Sequence, residues 1–183
     1  MTIYLIVGLP GAGKTTRAKE LEVSESALRL TPDDWQMSIF GGDDPTRWRS
    51  KDRADQRDRI EGKLVELGMR AARLGINVVF DFGFWGKDER SSLRWIADTL
   101  GVRAQVVYLP ISYEEQRRRI TSRYESEKGQ FQMSDAELKQ WQVKFHAPDQ
   151  EEVRGIAIPP VPPTHANWSH WASERWPSLP DQY

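Results

Sequence analysis

A phosphate-binding pattern lies near the N-terminus, where Gly8-Leu9-Pro10-Gly11-Ala12-Gly13-Lys14-Thr15 matches G-x-x-x-x-G-K-[ST] in full. The glycines let successive backbone N–H groups wrap phosphate oxygens at the positive end of the following helix. Lys14 is placed to reach the β- and γ-phosphates, and the Thr15 hydroxyl to ligate Mg²⁺. The pattern therefore predicts a nucleotide site formed by Gly8, Gly11, Ala12, Gly13, Lys14, Thr15 and Thr16.

Two adjacent carboxylates, Asp33 and Asp34, follow the second predicted strand in the stretch Thr31-Pro32-Asp33-Asp34-Trp35. The carboxyl end of that strand faces the same crevice as the phosphate loop. A carboxylate there can take the proton of an acceptor hydroxyl. Aspartate after proline is also common at the start of a helix, so one of the pair can cap while the other catalyses.

Phosphoryl transfer also needs a metal-organising carboxylate and cations over the transferring group. Asp81 ends an apolar run and is predicted to ligate the metal, with a strand-end turn as the structural alternative. Arg119 and Arg123 lie one helical turn apart and share a face. We expect these two arginines to close over the γ-phosphate as a lid, and a solvated charged face is the alternative.

The acceptor site is expected beside the catalytic carboxylate, because a general base must touch the hydroxyl that it deprotonates. Tryptophans just beyond strand ends, with carboxylates close by in sequence, suit a hydroxyl-rich molecule that is neutral or cationic. Core burial is the alternative role for each tryptophan. The predicted acceptor-binding residues are Asp34, Trp35, Asp43, Asp44, Trp48 and Trp85.

The elements that must position these groups alternate between strands and helices. Apolar runs predict strands over residues 3–7, 27–30, 76–80 and 102–109, and periodic segments predict helices near 14–21, 60–74, 88–100 and 112–124. Ile60, Leu64, Leu67, Ala71 and Leu74 form the predicted apolar face of the longest helix. Alternation of this kind predicts an α/β fold, with a mostly parallel sheet flanked by helices.

The composition changes after Pro148, because seven of the eleven prolines and three of the eight tryptophans lie from there on. We expect residues 1–158 to form the catalytic domain and residues 159–183 to form an extended strap packed across it. A frayed end is the alternative, but three tryptophans favour burial.

Composition excludes several classes of function. The 183 residues carry 26 basic and 27 acidic side chains, a formal charge of -1, which disfavours a general nucleic-acid-binding protein. The absence of cysteine excludes disulfides, thiolate zinc sites and a cysteine nucleophile. The sequence shows no basic leader and no apolar run near the ~20 residues of a membrane span, so a cytoplasmic protein without membrane partners is expected.

The ordered set GLPGAGKTT, TPDDW, VVFDFGFW, EEQRRRITSR and FHAPDQEE resembles small P-loop kinases. These are AAA-type ATP-binding proteins related to polynucleotide kinases, zeta toxins and chloramphenicol phosphotransferases, and the resemblance covers about residues 1–158. It implies a P-loop kinase fold with ATP, or GTP, and Mg²⁺ as cofactors. It also implies that Asp33 is the general base and that Arg119 and Arg123 are the lid arginines. Family members often carry a basic residue where this chain has Gln36.

These observations together predict a kinase that phosphorylates a hydroxyl of a small molecule, with an aminoglycoside-like antibiotic as the best single acceptor. Two alternatives share the fold, namely a polynucleotide 5′-hydroxyl kinase and a zeta-toxin-like nucleotide-sugar kinase. The near-zero net charge and Gln36 count against a nucleic-acid acceptor. An ATP-dependent switch or binding module without transfer chemistry is the alternative from a different class.

Overall fold

A four-stranded parallel sheet organises the chain, in a computed structural model that describes residues 1–41, 50–126 and 133–181. The strand order is β2-β3-β1-β4, and every neighbouring pair is parallel. The carboxyl ends of all four strands therefore meet at one edge. The strands are β1 (Thr2–Val7), β2 (Ala27–Leu30), β3 (Asn77–Gly83) and β4 (Arg103–Tyr108).

Helices cover both faces of this sheet. Within the described ranges no helix is long and apolar enough to cross a membrane. Side chains on alternate sides of β1 enter different apolar clusters. Ile3, Leu5 and Val7 join one cluster, and Tyr4 and Ile6 join the other. The helices are α1 (Lys14–Ser24), α2 (Pro32–Phe40), α3 (Lys51–Arg73), α4 (Lys87–Thr99), α5 (Tyr113–Ser126), α6 (Asp135–Lys144), α7 (Gln150–Val153) and α8 (Trp168–Arg175).

The buried face of α3 differs from the predicted one. Leu67 and Leu74 are exposed, whereas Val65 and Met69 are fully buried. At ~100° per residue the buried stripe is centred about a third of a turn from those two leucines. Gly68 lies on this stripe, where a Cβ would come within 2.4 Å of the Phe80 ring. The missing side chain lets α3 pack directly on β3.

The C-terminal segment is not wholly extended, so that part of the prediction is wrong. Prolines at 159, 160, 162 and 163 are followed by a proline-free stretch over residues 164–176. This stretch contains α8, whose N-terminus is capped by the Asn167 side chain accepting from the His170 N–H at 2.9 Å. Trp168 and Trp176 are buried, and α8 packs against α4.

Candidate active site

The loop between β1 and α1 has the backbone of a phosphate cradle. Gly11 and Gly13 have φ values of 83° and 89°, in the left-handed region that favours glycine. At Gly8 a Cβ would lie 2.9 Å from the Leu109 carbonyl oxygen, so a side chain there would collide with the backbone. Gly13 is also the N-cap of α1, which directs the loop N–H groups and the positive end of the helix at one point.

Lys14 lies beside this cradle in a partly desolvated position. Its Nζ donates to the Leu9 carbonyl oxygen at 3.1 Å, and its side chain passes close to Gly83. Burial lowers the pKa of Lys14 to about 8, although the nearby carboxylates of Asp81 and Asp33 oppose that shift. An anionic phosphate would supply the missing counter-charge.

Asp81 lies within β3 and not at its end, since the strand continues for two residues to Gly83. Its side chain is almost fully buried, and Arg29 Nη1 lies 3.4 Å from Oδ2. Burial raises the pKa of Asp81, and a hydrogen bond from Thr15 and the charges of Arg29 and Lys14 oppose the shift. The Asp81 carboxylate and Thr15 both line the cavity beside the phosphate cradle.

Oxygen donors of this kind fit Mg²⁺, which prefers carboxylate and hydroxyl ligands and usually retains waters and substrate phosphates. Thr15 and Asp81 supply two such oxygens at the positive end of α1. Among the described residues no group of three or more His, Cys, Asp or Glu side chains forms a metal cage. The donor set thus suits an ion shared with bound phosphates.

The two aspartates at the start of α2 point to different partners. Thr31 is the N-cap, so neither Asp33 nor Asp34 occupies that position. Asp33 lines the cavity described below, and its Oδ1 accepts a hydrogen bond from Arg57 Nη1. Asp34 is not among the cavity-lining residues and lies 3.4 Å from Arg29 Nη2. Of the two carboxylates, only Asp33 faces the space next to the phosphate cradle.

A cavity of about 550 Å³ joins the phosphate cradle to Asp33. Its size lies within the usual range of ~300–1,000 Å³ for small-molecule sites. One end is the loop and lid, and the other is a group of charged side chains with Phe84 and Trp85. The principal lining residues are Gly13, Lys14, Thr15, Thr16, Asp33, Arg57, Glu61, Asp81, Phe84, Trp85, Glu89, Arg123 and Arg175.

The charged group at the far end of the cavity was missed by the sequence analysis. Arg57 Nε lies 2.9 Å from Glu61 Oε1, and Arg175 Nη2 lies 3.6 Å from Glu61 Oε2. Arg175 also contacts Asp58 at 2.6 Å and Glu89 at 2.8 Å. The sequence contained one signal for this group, because the charged Glu61 interrupts the predicted apolar stripe between Ile60 and Leu64. In the structure Glu61 is buried. Buried carboxylates require partners, and these arginines supply them.

The two lid arginines lie on α5, at the loop end of the cavity. Arg123 lines the cavity. Arg119 is not among the lining residues, and it donates to the Gly11 carbonyl oxygen at 3.1 Å and to Glu115 Oε1 at 2.6 Å. Both arginines are thus brought to the phosphate loop, with Arg123 nearer the cavity.

The predicted aromatic wall is only partly assembled. Trp85 lines the cavity, and its ring centroid lies 5.8 Å from that of Trp141. Trp35 is 43% exposed and is not a lining residue. Gln36 is buried, and its Nε2 donates to the Arg53 carbonyl oxygen at 2.9 Å. The predicted acceptor residues Asp43, Asp44 and Trp48 lie outside the described ranges.

A buried ion pair holds the backbone that carries Trp85. Arg90 and Glu152 are both almost fully buried, and Arg90 Nη2 donates to Glu152 Oε2 at 3.0 Å. Arg90 Nη1 lies 3.2 Å from the Phe84 carbonyl oxygen and 3.3 Å from that of Trp85. The pair therefore ties α7 to the loop after β3.

Comparison with known proteins agrees with this geometry. Residues 3–148 match the family model AAA_33, described as AAA domain. No curated protein sequence matches the chain. The match confirms the P-loop family resemblance predicted from the sequence, and the parallel sheet flanked by helices confirms the predicted α/β fold.

Solved structures with this fold include kinases. A candidate kinase from Chloroflexus aurantiacus has a TM-score of 0.63 at 15% identity, covering 80% of this chain and 78% of that one. Kti12 from Chaetomium thermophilum, in complex with ADP-AlF3, has a TM-score of 0.59 at 16% identity over 85% of each chain. A gluconokinase from Sinorhizobium meliloti has a TM-score of 0.55 at 16% identity, covering 84% and 88%. At these identities the likeness establishes the fold.

Proposed function

Because the chain belongs to the AAA domain family and has the fold of P-loop kinases, we propose that it transfers the γ-phosphate of ATP to a hydroxyl group of a small molecule. One observation carries the proposal: the phosphate loop and the Asp33 carboxylate line the same cavity. A donor phosphate and an acceptor hydroxyl bound there would face each other beside a base.

Asp33 is the proposed general base. Its Oδ1 accepts from Arg57, which holds the carboxylate in one orientation. Oδ2 is then the oxygen that would take the acceptor proton as the hydroxyl oxygen attacks the γ-phosphorus and the bond to the departing ADP breaks. Asp34 contacts Arg29 and is assigned no part in this step.

Cations at the loop end would neutralise charge that grows on the transferring phosphoryl oxygens. Lys14 lies beside the cradle, and Arg123 lies in the cavity wall. Arg119 contacts the loop carbonyl of Gly11 and is proposed to brace the lid. Thr15 and Asp81 would hold a bound Mg²⁺, which would offset the negative charge of the nucleotide phosphates.

The charge of the far end indicates the class of acceptor. Asp33, Glu61 and Glu89 contribute three carboxylates to the cavity wall there, against the two guanidinium groups of Arg57 and Arg175. Both arginines are already paired with these carboxylates. An anionic acceptor would meet an excess of negative charge, so we propose a neutral or cationic acceptor that is rich in hydroxyl groups. None of the comparisons supports an antibiotic in particular.

The test is a screen for phosphate transfer from labelled ATP. Its acceptor classes are neutral polyols, aminocyclitols, sugar acids, nucleotide sugars and 5′-hydroxyl oligonucleotides. We expect label on a neutral or cationic acceptor, and none with Lys14→Ala. Label on anionic acceptors alone would contradict the proposed acceptor class and leave the kinase assignment standing. ATP consumption that no acceptor accelerates would favour a switch or binding module.

A further inference from the structure

A continuous series of charged contacts joins the C-terminal helix α8 to the proposed base. Arg175, the last residue of α8, contacts Glu61, which contacts Arg57, which in turn contacts Asp33. Positive and negative groups alternate along the series. The series crosses three elements, from α8 through α3 to α2.

Glu61, in the middle of the series, is buried, and both of its carboxylate oxygens have defined partners. Glu61 Oε1 accepts from Arg57, and Glu61 Oε2 accepts from the Trp176 indole N–H at 3.0 Å. Arg175 directs its three nitrogens at three different carboxylates. Burial raises the pKa of Glu61, and the two guanidinium groups oppose the shift. Two guanidinium groups and an indole N–H therefore converge on this one carboxylate.

The α8 end of the series is fixed by the core. Trp176 follows Arg175 directly and is fully buried within the main apolar cluster. At Gly62, next to Glu61, a Cβ would lie 2.4 Å from the Ser178 hydroxyl and 3.1 Å from the Trp176 Cβ. The C-terminal segment therefore packs directly on the α3 backbone, and Arg175 has little freedom to move relative to α3.

We propose that Arg175 and Glu61 are positioning residues that hold Arg57, and through it Asp33, in place for phosphate transfer. The helix α8, which lies beyond the residues matched by the family model, then belongs to the catalytic apparatus. This inference rests on the proposed function. Neither residue needs to touch the acceptor for the effect to operate.

Electrostatic attraction explains how Arg175 would keep Arg57 in contact with Asp33. Without Arg175, the carboxylates of Asp58, Glu61 and Glu89 would lose the guanidinium that they share, and among the described residues Arg57 would be the cation still paired with Glu61. The Arg57 guanidinium would be drawn toward this excess charge and away from Asp33. Loss of the Arg57 contact would free the Asp33 carboxylate to rotate, and a misplacement of ~1 Å can reduce a rate about 10²-fold.

The first test is a double-mutant cycle on the single-turnover rate of MgATP hydrolysis, with water as the acceptor. Arg175→Lys keeps the positive charge, so we expect the variant to fold. It loses the three guanidinium nitrogens that contact three different carboxylates. We expect Arg175→Lys and Arg57→Lys each to lower the rate about tenfold, and the double variant to lose little more than Arg57→Lys alone. Independent, additive losses would overturn the inference. Glu174→Gln is the matched control, because Glu174 neighbours Arg175 on α8 but pairs with His165 at 3.0 Å.

The second test does not depend on activity. In ¹⁵N-labelled protein, the Nε–H resonance of Arg57 reports the contact with Glu61. We expect Arg175→Lys to shift this resonance and accelerate its hydrogen exchange, and Glu174→Gln to leave it unchanged. An unchanged Arg57 resonance in Arg175→Lys would refute the coupling. A shifted resonance in a protein that phosphorylates no acceptor would leave the coupling standing and refute the proposed function.

Discussion

Asp33 and Arg57 lie 24 residues apart in the chain, and a hydrogen bond from Arg57 Nη1 to Asp33 Oδ1 joins the start of α2 to α3. The same guanidinium donates through Nε to Glu61 at 2.9 Å. Arg57 therefore anchors one carboxylate oxygen of Asp33 to the long helix α3. The orientation of the proposed base depends on α3 as much as on its own loop.

Asp33→Asn should lower kcat by about 10²–10⁴-fold, because the amide cannot accept the hydroxyl proton. Nucleotide affinity should change little, since Asp33 lies at the acceptor side of the cavity. Asp34→Asn is the matched control and should cost far less, as Asp34 contacts Arg29 and not the cavity. Steady-state kinetics with nucleotide titration checks both. The opposite ranking would move the base to Asp34.

Nucleotide binding should weaken as the pH rises through about 8, the lowered pKa of Lys14. Below that pH the free protein already carries the ammonium, whereas above it the nucleotide must bind with uptake of a proton. Calorimetry of ATP binding at pH 7 and pH 9, in buffers of different ionisation enthalpy, measures this uptake. Lys14→Arg, which stays charged, should remove the pH dependence. An equal dependence in that variant would assign the titration to another group.

Arg123→Ala should lower turnover more than Arg119→Ala, because Arg123 lines the cavity and Arg119 is held by Glu115 and the Gly11 carbonyl. Both should affect turnover more than thermal stability, since their charge acts on the transferring phosphoryl group. Measurements of kcat and Tm on the two variants check the ranking. Lower Tm with full turnover would make the arginines a structural network.

Glu152→Ala should destabilise the fold by about 3–5 kcal/mol, because it leaves the Arg90 guanidinium buried without its carboxylate. The backbone that carries Trp85 should loosen with it, since Arg90 holds the Phe84 and Trp85 carbonyls. Lys87→Ala breaks an exposed pair with Asp149 and should leave Tm nearly unchanged. Denaturant unfolding of the two variants measures the difference.

The phosphate loop, all four strands and the location of Asp33 were predictable, because each depends on a short local pattern. Asp81 was expected at a strand end and lies two residues inside it. The group around Glu61 was not predicted, because charges at spacings of three and four on a helix are typical of a solvated face. Its burial comes from Trp176 and Arg175, more than a hundred positions away in the chain, which no local pattern encodes.

The prediction of an extended C-terminal segment rested on the number of its prolines. Proline excludes a helix only where it stands, and the stretch between Pro163 and Pro177 is long enough for two turns. Asn167 provides the N-cap that starts α8 there. The positions of the prolines, and not their number, were the informative quantity.

The contact between Trp176 and Glu61 spans 115 positions, and it forms on a surface that α3 provides. Trp176 and Ser178 pack against the α3 backbone at Gly62, so the C-terminal segment can dock only after α3 is in place. On refolding, the β-sheet and nucleotide binding should recover first, and the docking of α8 last. Catalytic competence should therefore lag behind secondary structure in time, and a kinetic intermediate that binds ATP without transferring phosphate should accumulate.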